Sequence, residues 1–469
     1  MIQLINTIIS EFRNCFKRTK TWEWFAIIIF GLLLRQDQRG VTSVVSTLRL
    51  KPKLYHTMLH FFRSTGYTVE SLYEKWIQIA MKYSTVTRIA GRIVLLGDHS
   101  KVSKEGRRMP DVHTLHQDSQ NAGKAKYIEG HNFGQVSAVI TNSTISRSLP
   151  LFTEMQSSPP RKEGTKKPDG DTLVTQMVNL IHKTAKALGE PVIAALDAYF
   201  SSEAAWAAAD KAISETGERW VEIVTRGQTN TVAYTIPEPS NEKKRGRPRI
   251  YGDRIKLYSL FDDMTGFTET TMILYGKKSK VRYKCLNLIW KPVKKLVRFV
   301  VVETDSGRCV LMSTDLTLRP EDIIAIYALR FKIESGFAEQ KHGMGCFDYH
   351  FWTTALPKRK KWKKEQPAVK PEDMKRVDDA KRAINSFVCL GTIAIGIITI
   401  IAFSHNREIW KRYCGWMRTI RSDIPTVATV KAVLVQDFPV YLQLYAHLTL
   451  CVIVLSRQRV EHFLFGDAA

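Results

Sequence analysis

Between residues 92 and 225 the chain runs three β-type segments in a row and then alternates, and that order constrains the fold more than any other feature. Strands are predicted at 92–98, 134–141 and 148–155, a helix at 172–189 and a strand at 191–197. An alanine-rich helix at 202–214 and a strand at 219–225 complete the series. Three strands followed by helix, strand, helix, strand predict an α/β sheet with its helices packed against it. Two of the strands end in a carboxylate. Asp98 closes Arg-Ile-Val-Leu-Leu-Gly-Asp and Asp197 closes Pro-Val-Ile-Ala-Ala-Leu-Asp. An aspartate at a strand end is commonly a cap or turn residue, so neither identifies a site alone.

A second constraint lies downstream. Pro320, Glu321 and Asp322 suit the first turn of a helix, and Gly343 suits its end, which predicts one long helix between them. At about 100° per residue, Tyr327, Arg330, Glu334 and Lys341 project within roughly a 60° arc. Ile326, Leu329, Ile333 and Phe337 form the adjoining apolar stripe, assigned to the core. A row of mixed charges on a helix is often only a solvated, salt-bridged face. Glu339, the other acidic residue nearby, projects about 140° from Glu334 and is the poorer partner for the row.

The spacing Tyr327-x2-Arg330-x3-Glu334-x6-Lys341, together with Asp98 and Asp197, resembles the signature of the YREK group of bacterial insertion-sequence transposases. The similarity runs from roughly residue 90 to 350. It includes the text from Gly97 to Pro110 and Gly130-His131-Asn132-Phe133-Gly134. The resemblance implies an α/β, ribonuclease-H-like catalytic core with a β-rich insertion, flanked by helical N- and C-terminal regions. It implies a DDE transposase in which Asp98, Asp197 and Glu334 are the catalytic carboxylates and the ligands of Mg²⁺, with Mn²⁺ as a substitute. Such hard cations prefer carboxylate oxygen, and a pair of them suits phosphodiester hydrolysis and strand transfer of 3′-OH ends. Tyr327, Arg330 and Lys341 would contact DNA, with Arg forking onto phosphate and Lys acting as a point charge. The implied partners are double-stranded DNA, as transposon ends bearing terminal inverted repeats and as target, and a second copy of the chain in a synaptic homodimer. His99 and His131 would help shape the site.

Charge agrees with a polyanion partner. Seventy Lys and Arg against 45 Asp and Glu leave a formal charge of +25. The basic residues cluster in several places. Residues 1–85 read as helical, with a helix-turn-helix outline over 41–63 that offers Lys51, Lys53, His56, His60 and Arg63 to a DNA groove. The same outline occurs in helical proteins that bind nothing. The core reads as 90–227 and 319–350, interrupted by a β-rich insertion at 228–318. Its Arg245-Gly246-Arg247-Pro248-Arg249 run resembles an AT-hook, a minor-groove reader, and reads equally as a flexible loop touching phosphates. Trp290 in the insertion could stack on an extruded base or pack in the core. Pro357 to Lys364 sets six basic residues around Trp362, and 375–469 returns to helix.

Seven scattered cysteines with no Cys-x2-Cys pair argue against a zinc site or disulfide framework and fit a reducing cytoplasm. The N-terminus does not read as a secretory signal. Phe387 to Phe403 carries no charge over 17 residues, about 26 Å as a helix against a bilayer core of about 30 Å. Basic residues flank it on both sides, so a buried packing helix is expected rather than a membrane partner. The expected location is the prokaryotic cytoplasm, associated with the nucleoid. The competing function is a non-catalytic basic DNA-binding protein or repressor derived from such an element.

Overall fold

A computed structural model describes residues 1–37, 40–117, 123, 125–142, 145–159, 170–213, 217–238, 249–360, 368–416 and 424–459. Its centre is a sheet whose first five long strands appear in the anticipated order. Ser146–Gln156, Tyr127–Thr141 and Arg92–Ser103 pair antiparallel, and Arg92–Ser103 then pairs parallel with Val192–Ala195, which pairs parallel with Val221–Arg226. This is the ribonuclease-H-like arrangement. The strands after residue 254 do not start a sheet of their own. Gly307–Ser313 pairs antiparallel with Val221–Arg226, and Lys295–Thr304, Lys277–Trp290 and Thr268–Leu274 follow, so thirteen strands of the described residues share one hydrogen-bonded sheet.

The period-2 alternation of the central strands divides two apolar layers. On one face Val94, Leu96, Ile193, Ala195 and Val224 meet Ile323, Ile326, Ile333 and Phe337 of the helical segment after residue 320. On the other, Ile93, Leu95 and Ala194 meet Met177 and Ile181 of the helix Leu173–Leu188. That helix lies so close to the sheet that a Cβ on Gly97 would stand 2.8 Å from Leu196 and 3.1 Å from the Met177 sulfur. Gly97 therefore lets the covering helix settle immediately beside Asp98.

The helix Met374–Ser404 is long and apolar enough to cross a membrane, yet 94% of its most apolar window is buried inside the protein. It packs on Ser146–Gln156 and on the N-terminal helices Thr19–Leu34, Leu54–Arg63 and Val69–Tyr83. Polar groups along it are satisfied locally, as Thr392 donates to Thr153 at 3.1 Å and Thr399 to the Ile395 carbonyl at 2.8 Å. Contact with Trp76 is tightest at Gly396, where a Cβ would fall 2.0 Å from the indole. Trp76 cannot step aside, because it is fully buried and its indole N–H donates to the Pro150 carbonyl at 2.9 Å. Gly396→Ala is expected to cost about 1–3 kcal/mol by overpacking, read as a lowered denaturant midpoint at unchanged m-value.

The N-terminal helices join the core through a buried cation. Arg35 is fully buried and donates to the carbonyls of Gly40, Met344 and Gly345, at 3.2, 2.7 and 2.7 Å. The end of the first long helix is thereby tied to the chain just past the Tyr-Arg-Glu-Lys segment.

Candidate active site

Strand register brings the two aspartates level. Arg92–Ser103 and Val192–Ala195 pair in parallel with Leu96 beside Ala195, and Asp98 and Asp197 each lie two residues further on. Neighbouring strands are about 4.8 Å apart, so the two carboxylates leave the sheet side by side. Alternation also sets their direction. Asp98 shares the face of Val94 and Leu96, the face covered by the Tyr-Arg-Glu-Lys segment. Asp98 accepts the His99 backbone N–H at 2.7 Å, and Asp197 accepts the Tyr199 backbone N–H at 2.9 Å.

That segment is not the single straight helix expected from its pattern. It comprises Pro320–Leu329, Lys332–Ala338 and a π-helical stretch Glu339–Met344. The joint at Arg330 and Phe331 carries short-range bonds instead, from Ile333 N–H to the Arg330 carbonyl at 3.1 Å and from Glu334 N–H to the Phe331 carbonyl at 3.2 Å. The break lets both halves lie on a twisted sheet, and Ile326, Ile333 and Phe337 are buried as expected while Leu329 is only half-buried.

Arg330 organises the site. Its guanidinium donates to Glu334 at 2.7 Å, stands 3.8 Å from an Asp98 oxygen, and lies 6.0 Å over the Tyr327 ring. Glu334 is the most exposed of the three acids, with a side chain 46% accessible against 21% for Asp98. Burial first, and then the neighbouring Asp197 charge, push the Asp98 carboxyl up to about 7. Asp197 is also raised, by burial and by Glu334, with the Tyr199 N–H and Arg330 opposing. Nearby like charges and burial together favour the protonated form of both acids.

A divalent cation would relieve that repulsion, and hard carboxylate oxygens suit Mg²⁺. Among the described residues, no three His, Cys, Asp or Glu side chains are grouped so as to hold a metal ion. Asp98 and Asp197 would supply two of the oxygens of such a site. Glu334 is engaged through one carboxylate oxygen by Arg330, whose guanidinium donates to it at 2.7 Å.

The remaining candidates scatter. Lys341 reaches back over the first core strand and donates to the Lys101 carbonyl at 2.9 Å, three residues from Asp98. Glu339 turns away, accepting the Val427 backbone N–H and facing Arg147. Arg249 is exposed, whereas Arg245 and Arg247 lie outside the described residues, as does Trp362. Trp290 is a core residue, buried edge-on against Trp206 at 5.1 Å. His99 stacks on Phe200 and bonds Gln156 at 2.8 Å; His131 is held between the Tyr349 hydroxyl and the Pro110 carbonyl. Burial pushes both imidazoles down to about 4, so both are neutral at pH 7.

Two buried amides escaped the sequence reading. Gln135 is the cross-strand partner of Asp98, and it accepts from Gln340 at 2.6 Å, with both side chains fully buried. The pair pins the π-helical turn onto the sheet beside the acids. Nothing in the local sequence marks the pair, since Gln340 stands between Glu339 and Lys341.

The profile of a family described as DDE superfamily endonuclease matches residues 11–271, which include both aspartates and the strands that carry them; Glu334 lies beyond the match. No curated protein matches the chain. With more than half of its 469 residues covered by that match, the chain belongs to the DDE superfamily endonucleases.

Proposed function

We propose that this protein is a DNA transposase that binds terminal inverted repeats, cleaves the DNA strand at the transposon end and transfers the 3′-OH into target DNA. The observation that carries the reading is the pair of level, mutually repelling carboxylates at Asp98 and Asp197 beneath the helical segment that bears Arg330 and Glu334. Asp98, Asp197 and Glu334 would hold two divalent ions, Mg²⁺ or Mn²⁺, which when bound activate the attacking oxygen and stabilise the leaving one. Arg330, released from Glu334, presents its fork to a phosphate, and Lys341 adds a point charge above the same strand. Tyr327 supports the Arg330 guanidinium from below.

The exposed His56, His60 and Arg63 on Leu54–Arg63, with Lys53 just before it, support a role for the N-terminal 85 residues in end recognition, with Arg249 and its neighbours as a further contact. Two ends have to be brought together, so the working form is a homodimer on DNA, associated with the nucleoid of a prokaryotic cytoplasm.

The direct test uses supercoiled plasmid carrying the coding segment with its natural flanks. Wild-type protein is expected to nick or linearise it only with Mg²⁺ or Mn²⁺. Tight binding without nicking under either metal would overturn the enzymatic reading in favour of a non-catalytic DNA-binding protein.

A further inference from the structure

A second basic feature lies away from the three carboxylates. Immediately past the first core strand, Lys104 to Met109 forms one wall of a cleft of about 610 Å³ whose other wall is the segment from Asp348 to Lys358. In that second wall exposure alternates strictly: Phe351, Thr353 and Ala355 are buried, while Trp352 and Thr354 face out. The buried neighbours anchor the strut. Phe351 packs on Phe62 at 5.3 Å, Thr353 N–H donates to the Arg108 carbonyl at 3.1 Å, and Arg359 N–H to the Arg107 carbonyl at 2.8 Å. An indole 56% exposed on a rigid extended segment is held there at a hydrophobic cost.

Around that indole, Arg107 and Lys358 are exposed and Arg108 is half-buried, against Glu105 and Asp348 as the acids of the cleft. Lys104 is committed elsewhere, donating to the Phe347 and Tyr349 carbonyls and lying 3.9 Å from the Tyr349 ring centre. Beyond Trp352 the surface continues to Arg63 and Arg376. Guanidinium and ammonium groups beside a flat, presented aromatic are the chemistry that holds a nucleic-acid strand by its phosphates and stacks a base.

We propose that this cleft is a second DNA contact, in which Arg107, Arg108 and Lys358 track the backbone of one strand and Trp352 stacks an unpaired base. The proposal rests on the reading that the chain acts on DNA and adds where and in what state the flanking DNA is held. Ser103 lies five residues beyond Asp98 on one strand, about 17 Å at 3.3 Å per residue. The cleft thus opens at the end of the same strand that carries Asp98.

The test measures anisotropy of labelled 30-base-pair duplexes, fully paired or with three central unpaired nucleotides, over a salt series with full-length protein. Wild type is expected to prefer the unpaired probe by roughly fivefold or more, which Trp352→Ala abolishes and Trp352→Phe retains. Replacing Arg107, Arg108 and Lys358 together by Ala should reduce the salt slope by about 2–3, at roughly 0.7–0.9 per phosphate contact. Unchanged preference in Trp352→Ala, no preference in wild type, or an unchanged slope in the triple variant overturns the cleft. Thermal unfolding of each variant checks that the fold survives. Asp98→Ala run alongside separates the two claims, since it should bind both probes like wild type while failing to nick plasmid; a wild type that binds neither probe sinks the transposase reading itself.

Discussion

Alanine at Asp98, at Asp197 or at Glu334 lowers metal-dependent plasmid cleavage by roughly a thousandfold while DNA affinity stays within about threefold. The magnitude follows from the several kcal/mol that correctly held metal contributes to such a transition state, at 1.36 kcal/mol per factor of ten. Glu339→Ala is the built-in control. It lies five residues from Glu334 on the same segment, but its carboxyl accepts the Val427 N–H at the start of the helix Val427–Leu444. Losing that capping contact costs about 1 kcal/mol of stability and leaves cleavage near the wild-type rate. If Glu339→Ala were dead and Glu334→Ala active, the third carboxylate would be Glu339. Equal activity of all four variants would remove the active site from this face of the sheet.

The second large effect runs in the opposite direction, because the same carboxylates weaken the fold that carries them. Asp98 sits at about 7 in the folded chain against 3.8 for an ordinary aspartate, so between those values the folded state holds a proton that the unfolded state has released. Stability therefore falls as pH rises from about 4 to 7, and above 7 the cost is complete. Asp98→Asn removes the charge at every pH. It is expected to stabilise the metal-free protein by about 2–4 kcal/mol at pH 8, the upper figure being three pKa units at 1.36 kcal/mol each, and by nothing at pH 3.5. Chemical denaturation at the two pH values reads the difference directly. Added Mg²⁺ should raise wild-type stability at pH 8 more than that of the Asn variant, since a ligand stabilises in proportion to its affinity for the folded state. A variant destabilised at pH 8 would mean that favourable pairing of Asp98 with Arg330 outweighs its burial and the repulsion from Asp197.

Much of the site was legible because its aspartates are local features. A run of Val, Leu and Ile ending in Asp is readable in seven letters, and the offset that makes Asp98 and Asp197 level follows once the two strands pair in parallel. Helical periodicity likewise placed Tyr327, Arg330 and Glu334 near one another. It did not reveal that the helix breaks at Arg330 and Phe331, since nothing there is a Pro or Gly. Nor did it show Glu334 held by Arg330, a choice among several acceptors that depends on where Asp98 emerges. Trp352, Arg35 and the Gln135–Gln340 pair were invisible for a related reason: each gains its meaning from residues about 200 to 300 positions away.

By itself the amino-acid order determined the α/β class, the run of core strands, the two strand-end acids and the excess of positive charge. These follow from side-chain alternation, turn chemistry and composition, which act over a few residues. Only the tertiary structure decided that the strands after residue 254 extend the same sheet, that the helical segment after residue 320 breaks at Arg330, and that Arg330 stands between Asp98 and Glu334. Those outcomes depend on which apolar faces cover one another and which charges are left to neutralise each other once water is gone, and such long-range choices are made when the chain closes on itself.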